Sequence, residues 1–275
     1  MNPKEFEHPE GASEPVIQRT RAGGDHDLKR EMTERPPITP ELREKYDRQL
    51  TTLAQLMKEA GTWWQLDGMM NVSLYRKQKG GDYIGQHADI DMAVRRDELQ
   101  KLEGFFRSRG YGLFIRAKDG DFRDWRRVGH KAFHPTKGWS PHIVAIDDSG
   151  VIRDSELKKV EISIIDFDQE GFPLANGVRY PKEWLGDRIM SLKGEEIHLS
   201  HPARLVMWKI WMNRGYDEKD FDLLAETNAL TDKDVDDVEA VLREMARHNW
   251  WDKAPGFDRE SAAIKARLGK LRGKN

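Results

Sequence analysis

Tyr83-Ile84-Gly85-Gln86-His87-Ala88-Asp89-Ile90-Asp91-Met92-Ala93-Val94 reads as a short strand entered through a glycine turn, with two carboxylates two residues apart. Strand side chains alternate faces, so Asp89 and Asp91 share one face while Ile90 and Met92 take the other. Two acids side by side repel unless a proton or cation lies between them. A pair of hard oxygen ligands suits Mg²⁺, above all Mg²⁺ that arrives with substrate phosphates.

Outward from this strand, 275 residues are enough to bury a sizeable core, near the size at which one core gives way to two lobes. Charged residues make up 34% of the chain but net charge is only -2, so no global basic field steers it to nucleic acid. The absence of cysteine excludes a disulfide framework, a thiolate nucleophile and a Cys-type zinc site. No apolar run approaches a membrane span, and Met1-Asn2-Pro3-Lys4-Glu5 lacks the apolar segment of a signal peptide. The expectation is a cytoplasmic protein with no membrane partner.

Residues 1–36 are nearly empty of periodic apolar positions and are expected to form a disordered arm. Thr39-Pro40-Glu41 starts a helix whose stripe is Leu42, Tyr46, Leu50, Leu53 and Met57, with Gly61 as its stop. Trp63 to Leu66 is a short strand, Asp67-Gly68 a turn, and Met69 to Tyr75 a helical turn or two. After the acidic strand, Asp97 is read as a cap for a helix carrying Leu99, Leu102, Phe105 and Phe106, and Gly110 ends it before a strand at Tyr111 to Arg116. Strands follow at His142 to Ile146 and Lys159 to Phe167, and helices from His201-Pro202 onward. The order predicts an α+β fold: a mixed sheet with flanking helices over residues 37–200, then a helical lobe over 201–275.

Three features raise the acidic pair above a solvated strand face. The turn at Gly68 precedes it by about twenty residues and opens a helix, where backbone N–H groups can approach a phosphate. Arg76 and His87 flank the intervening loop and suit an anionic group. The later strand Val160-Glu161-Ile162-Ser163-Ile164-Ile165-Asp166 sets acids in an apolar run, with Glu161 and Asp166 on opposite faces; either is a candidate third carboxylate.

Together these stretches resemble the nucleotidyltransferase superfamily related to DNA polymerase β, and most of all its lincosamide and aminoglycoside branch of antibiotic-modifying enzymes. The resemblance rests on Trp64-Gln65-Leu66-Asp67-Gly68, His87-Ala88-Asp89-Ile90-Asp91, Arg109-Gly110-Tyr111, Val160-Glu161-Ile162, His201-Pro202-Ala203, Lys209 and Lys219-Asp220-Phe221-Asp222. Met69 stands where the family's phosphate turn has a second small residue, and Glu161 where Asp is usual.

The resemblance implies transfer of a nucleoside monophosphate from an NTP such as ATP to a hydroxyl of a small antibiotic-like acceptor, releasing pyrophosphate. It implies two Mg²⁺ ions on Asp89, Asp91 and Glu161, with Glu161 also as general base. Gly68, Met69, Arg76, His87 and Lys209 would bind the nucleotide. A second resemblance, to the LicD and fukutin proteins, rests on Asp67 to Arg76 and Gly81 to Gly85 and implies a CDP-alcohol donor and a glycan acceptor. A toxin-type transferase acting on tRNA or protein, or a scaffold that has lost catalysis, are the remaining readings. The histidines at 130, 134 and 142 match no closed zinc set, and the basic segment Lys265 to Lys274 reads as a solvated helix face.

Overall fold

The computed structural model describes residues 38–85, 89–116, 122–124, 141–146, 156–157, 159–212, 218–247 and 261–272. The N-terminal arm, His87 and most of the Arg- and Trp-containing middle lie outside these residues.

Helix α1 (Pro40–Ala60) begins as its sequence dictates. The Thr39 hydroxyl accepts a hydrogen bond from the Leu42 N–H at 3.2 Å, proline occupies the first turn, and Gly61 closes the helix in the left-handed conformation. Its stripe of Tyr46, Leu50, Leu53 and Met57 is buried against the sheet. Strand β1 (Trp64–Leu66) leads directly into α2 (Gly68–Gln78). This helix is longer than the turn or two expected. Met69 to Tyr75 are all buried, so no polar face marks its length in the sequence.

The acidic stretch forms β2 (Ile90–Arg95). Asp97 does not cap the next helix: it sits in a 3₁₀ turn (Arg96–Glu98) and pairs with Arg95, and α3 (Leu99–Arg107) follows. Then come β3 (Tyr111–Arg116), β4 (Phe122–Asp124), β5 (Pro141–Ala145) and β6 (Val160–Phe167). The sheet order is β1-β2-β6-β5-β3-β4, with β2 and β6 parallel and the other neighbours antiparallel. The fold is α+β with a mixed sheet.

Two short hairpins follow that the periodicity did not announce: β7 (Pro173–Ala175) with β8 (Val178–Arg179), and β9 (Ile189–Leu192) with β10 (Glu195–His198). The rest is helical: α4 (Pro202–Met212), α5 (Glu218–Glu226), α6 (Asp232–Arg247) and α7 (Ser261–Leu271). Thr231 and Asp234 cap α6 reciprocally, the hydroxyl accepting from the Asp234 N–H and the carboxylate from the Thr231 N–H.

Two large hydrophobic clusters form among the described residues, beside a small one of Phe114, Val144 and Ile146. One lies between the sheet, α1 and α3. The other gathers the C-terminal helices around Phe221, Leu242 and Trp184. Helix α2 serves both, giving Met70 and Leu74 to the first and Met69 and Val72 to the second. The N-terminus of α2 and the acidic strand therefore lie where the two clusters meet. Among the described residues no helix is long and apolar enough to cross a membrane.

Candidate active site

The site is built on the parallel strand pair β2 and β6. Register sets Asp91 of β2 beside Glu161 of β6, and Glu161 beside His142 of β5. One step earlier, Asp89 meets Lys159, with 3.2 Å between the Lys159 Nζ and the Asp89 Oδ2. The pleat puts Asp89 and Asp91 on one face of the chain and Lys159 and Glu161 on the matching face of its neighbour. Ile90, Met92 and Ile162 take the opposite face and are buried in the sheet's main core. That alternation separates the two candidate third acids. Glu161 faces the aspartates, whereas Asp166 is held by Arg96 on the other side of β6.

Behind the carboxylates stands the start of α2. The Asp67 N–H donates to the Asp91 carbonyl at 2.8 Å, which fixes the turn against the strand. Gly68 has φ +61°, and a Cβ on it would lie 1.9 Å from the Asp91 Oδ2. Only glycine satisfies both the left-handed backbone and that approach. Met69, the bulky residue in the turn, does not fill the site: its side chain packs with Val72, Ile84 and the C-terminal helices. Its backbone N–H remains in the first turn of α2, beside those of Gly68 and Met70, at the positive end of the helix dipole.

Asp67 itself was read only as a turn residue, yet it is a fourth acid of the cluster. It is 4% exposed, and its Oδ2 pairs with the Arg204 Nη2 at 3.1 Å. Its Oδ1 is buried with no hydrogen-bond partner. Arg204, 1% exposed, comes from α4 and also donates to the Ser200 hydroxyl, so the C-terminal helices hold the glycine turn in place. Lys209, one helical turn and a half further along α4, forms a buried ion pair with Asp220 of α5. Its charge still acts on Asp91. Arg76 is placed elsewhere. It lies at the far end of α2, about 12 Å along the axis from Gly68, where it meets the Asp82 carbonyl and Glu226 of α5.

Charge is unevenly balanced across this group. Lys159 faces Asp89, Arg204 faces Asp67 and His142 faces Glu161, with 3.4 Å between the His142 Nε2 and the Glu161 Oε2. Among the described residues the acids Asp89, Glu161 and Asp67 act on Asp91, and Lys209 opposes them. Burial, then the charges of Asp89, Glu161 and Asp67, push its carboxyl well above the usual carboxylate range. Among the described residues no three His, Asp or Glu side chains are already gathered as a closed metal-ligand set. The donor chemistry nonetheless fits a divalent cation. Asp89, Asp91 and Glu161 are all hard oxygen donors on facing positions, and the buried, unpartnered Oδ1 of Asp67 adds to the negative field.

His201 supplies a second electrostatic feature, at the start of α4. Its Nδ1 accepts the Ala203 N–H at 3.1 Å, its ring stacks on Trp184, and its Nε2 lies 3.5 Å from Asp234. Burial first, and then Arg188, lower its pKa to about 4, with Asp234 and Glu183 opposing and Arg204 assisting. The folded state thus binds this proton less tightly than the unfolded chain. Its contribution to stability is complete above the unfolded value and is lost as pH falls from about 6.5 toward about 4. An H201N variant, whose amide oxygen can cap without titrating, is expected to flatten that part of the stability curve by on the order of 3 kcal/mol. Urea melts between pH 7 and 4 provide the check, and an unchanged slope would remove His201 as the cause.

Comparison with known proteins places the chain among distant company. No protein-family model and no curated protein matches it. An antigenic nucleotidyltransferase-like protein from Paracoccidioides brasiliensis aligns at 13% identity and TM-score 0.40, over 84% of this chain and 95% of that one. ANT(2″)-Ia in complex with adenylyl-2″-tobramycin aligns at 10% identity and TM-score 0.42, over 72% and 94%. The Megavirus polyadenylate synthase aligns at 11% identity and TM-score 0.30, over 92% and 42%. With each of these TM-scores below 0.5, the chemistry of this chain has to be read from its own residues. Solved structures that align with it include a nucleotidyltransferase-like protein, an aminoglycoside nucleotidyltransferase and a polyadenylate synthase.

Proposed function

We propose that this chain transfers a nucleoside monophosphate from a nucleoside triphosphate to a hydroxyl of a small-molecule acceptor, releasing pyrophosphate. The observation that carries the reading is the meeting of three things at one point. Asp91 lies beside Glu161 across the parallel strands, and a left-handed glycine at a helix N-terminus stands where any side chain would run into the Asp91 carboxylate. Acids alone suit many roles. Acids set against backbone donors suit a ligand with both metal-bound and free phosphate oxygens.

In this reading Asp89, Asp91 and Glu161 would hold Mg²⁺, which supplies charge neutralisation for the triphosphate and acidifies the acceptor hydroxyl. The N–H groups of Gly68, Met69 and Met70 receive phosphate oxygens at the positive end of α2. Lys209, fixed by Asp220, and Arg204, fixed by Asp67, contribute positive field without moving. The acceptor oxygen attacks the α-phosphorus, and the bond from that phosphorus to the α–β bridging oxygen breaks. Pyrophosphate leaves with the bonding pair, and the acceptor proton passes to the Glu161 carboxylate. An antibiotic-like acceptor follows from the sequence resemblance alone.

The test is transfer of label from α-³²P-labelled ATP, GTP, CTP and UTP to a panel of aminoglycosides and lincosamides in the presence of Mg²⁺. Labelled acceptor that appears with the wild type and is lost in E161Q supports the assignment. Transfer only from a CDP-alcohol to a glycan would replace it with the LicD-like reading.

A further inference from the structure

We propose that Lys159 is the exchangeable counter-ion of the site: it holds Asp89 in the metal-free protein and yields that carboxylate to an arriving divalent cation. The inference rests on the metal-binding reading of Asp89, Asp91 and Glu161 given above. Three observations carry it. The Lys159 ammonium sits 3.2 Å from the Asp89 Oδ2, in the position where a ligand of that oxygen would stand. Its backbone is not free to withdraw, because the Ile90 N–H donates to the Lys159 carbonyl at 3.1 Å and ties the first rung of β6 to β2. The two side chains are only partly buried, 23% and 28% exposed, so the ammonium can swing aside on its four-carbon stem without breaking the core.

The other cations of the cluster are not of this kind. Arg204 and Lys209 are buried and held between fixed partners, the first by Asp67 and Ser200 and the second by Asp220. Neither can leave without stranding a buried charge. Lys159 alone among these three cations is positioned to exchange. A divalent ion reaching Asp89 must therefore compete with an intramolecular ammonium, and that competition sets the cation concentration at which the site fills.

The experiment is a thermal-shift titration of the full chain with MgCl₂ alone, without nucleotide, on wild type, K159M, K159Q and K159R, with isothermal titration calorimetry on the same set. An exposed-to-partly-buried pair is worth about 1 kcal/mol, so K159M and K159Q are expected to reach half-saturation at roughly five- to tenfold less Mg²⁺. Arginine keeps the charge but can grip a carboxylate through two parallel hydrogen bonds, so K159R is expected to need several-fold more than wild type. A mere field effect would leave Lys and Arg alike. Equal midpoints for wild type, K159M and K159Q overturn the exchange while leaving the metal site intact. A K159R midpoint equal to wild type overturns it as well. No Mg²⁺ response in any of the four overturns the metal reading itself, and the exchange with it. A response in K159M that is absent in wild type supports the exchange in its strongest form.

Discussion

Replacing Asp91 by asparagine is expected to make the metal-free protein more stable and to abolish transfer. The carboxylate is surrounded by Asp89, Glu161 and Asp67, and its proton is held well above the usual range by burial first and by those charges second. The folded state therefore binds this proton more tightly than the unfolded chain. The associated stability is fully present below the unfolded carboxylate value and is lost as pH rises through the raised folded one. At neutral pH the wild-type protein carries that strain. An amide in the same volume removes the repelling charge and can donate to the neighbouring acids, so the melting temperature should rise by about 2–5 °C. Turnover should fall by roughly a thousandfold or more, because a neutral amide neither balances nor holds a cation at the reacting phosphate. Saturating Mg²⁺ should raise the wild-type melting temperature and leave that of D91N unmoved. Thermal melts with and without Mg²⁺ check the two stability statements, and label transfer from a nucleoside triphosphate checks the turnover. A D91N protein that melts lower than wild type in the absence of metal would remove the like-charge account.

Gly68→Ala is expected to be strongly destabilising, unlike D91N. The backbone there has φ +61°, which costs an L side chain about 1–2 kcal/mol, and the new Cβ would stand 1.9 Å from the Asp91 Oδ2. Relieving that overlap means moving either the helix start or the acid, at about 1–3 kcal/mol more. Gly80→Ala provides the internal control. It shares the positive φ, at +83°, but has nothing within 4 Å of the added atom. Urea denaturation should therefore place G80A about 1 kcal/mol below wild type and G68A about 3 kcal/mol below it. Displacing the α2 N-terminus from the acid pair should also cost about a hundredfold in rate at temperatures where the variant is still folded. Equal destabilisation of the two variants would mean that contact with Asp91 plays no part.

What the sequence discloses and what it conceals follow from the range over which each signal acts. Helix α1 was legible because its cap, its proline and its stripe all lie within one local segment. The acidic strand was legible through simple alternation, and so was the placing of Glu161 and Asp166 on opposite faces; which of them meets Asp91 shows only when β6 is laid against β2. Helix α2 was underestimated because a helix buried all round shows no periodicity. The two late hairpins did carry local marks that went unread. Asn176-Gly177 and Lys193-Gly194 each supply two successive residues with positive φ between short strands, the pattern of a two-residue hairpin turn.

The electrostatic frame of the site was hidden for a different reason. Asp67 and Arg204 lie 137 positions apart, and Lys159 and Asp89 lie 70 apart, so only the packing of distant elements reveals either pair. Lys159 was within reach of pattern reading, because it stands two residues before Glu161 and so on the same strand face. In the sequence His142 is only the first residue of an expected strand and part of no zinc set. Its partner, Glu161, appears only when β5 is laid against β6.

The most direct measurement is the incorporation of label from an α-³²P nucleoside triphosphate into an acceptor, made side by side for wild type, D91N and E161Q with Mg²⁺ present. The expected result is labelled acceptor and stoichiometric pyrophosphate from the wild type, with neither from either variant although both remain folded. Undiminished transfer by D91N or E161Q would contradict the assignment of this site.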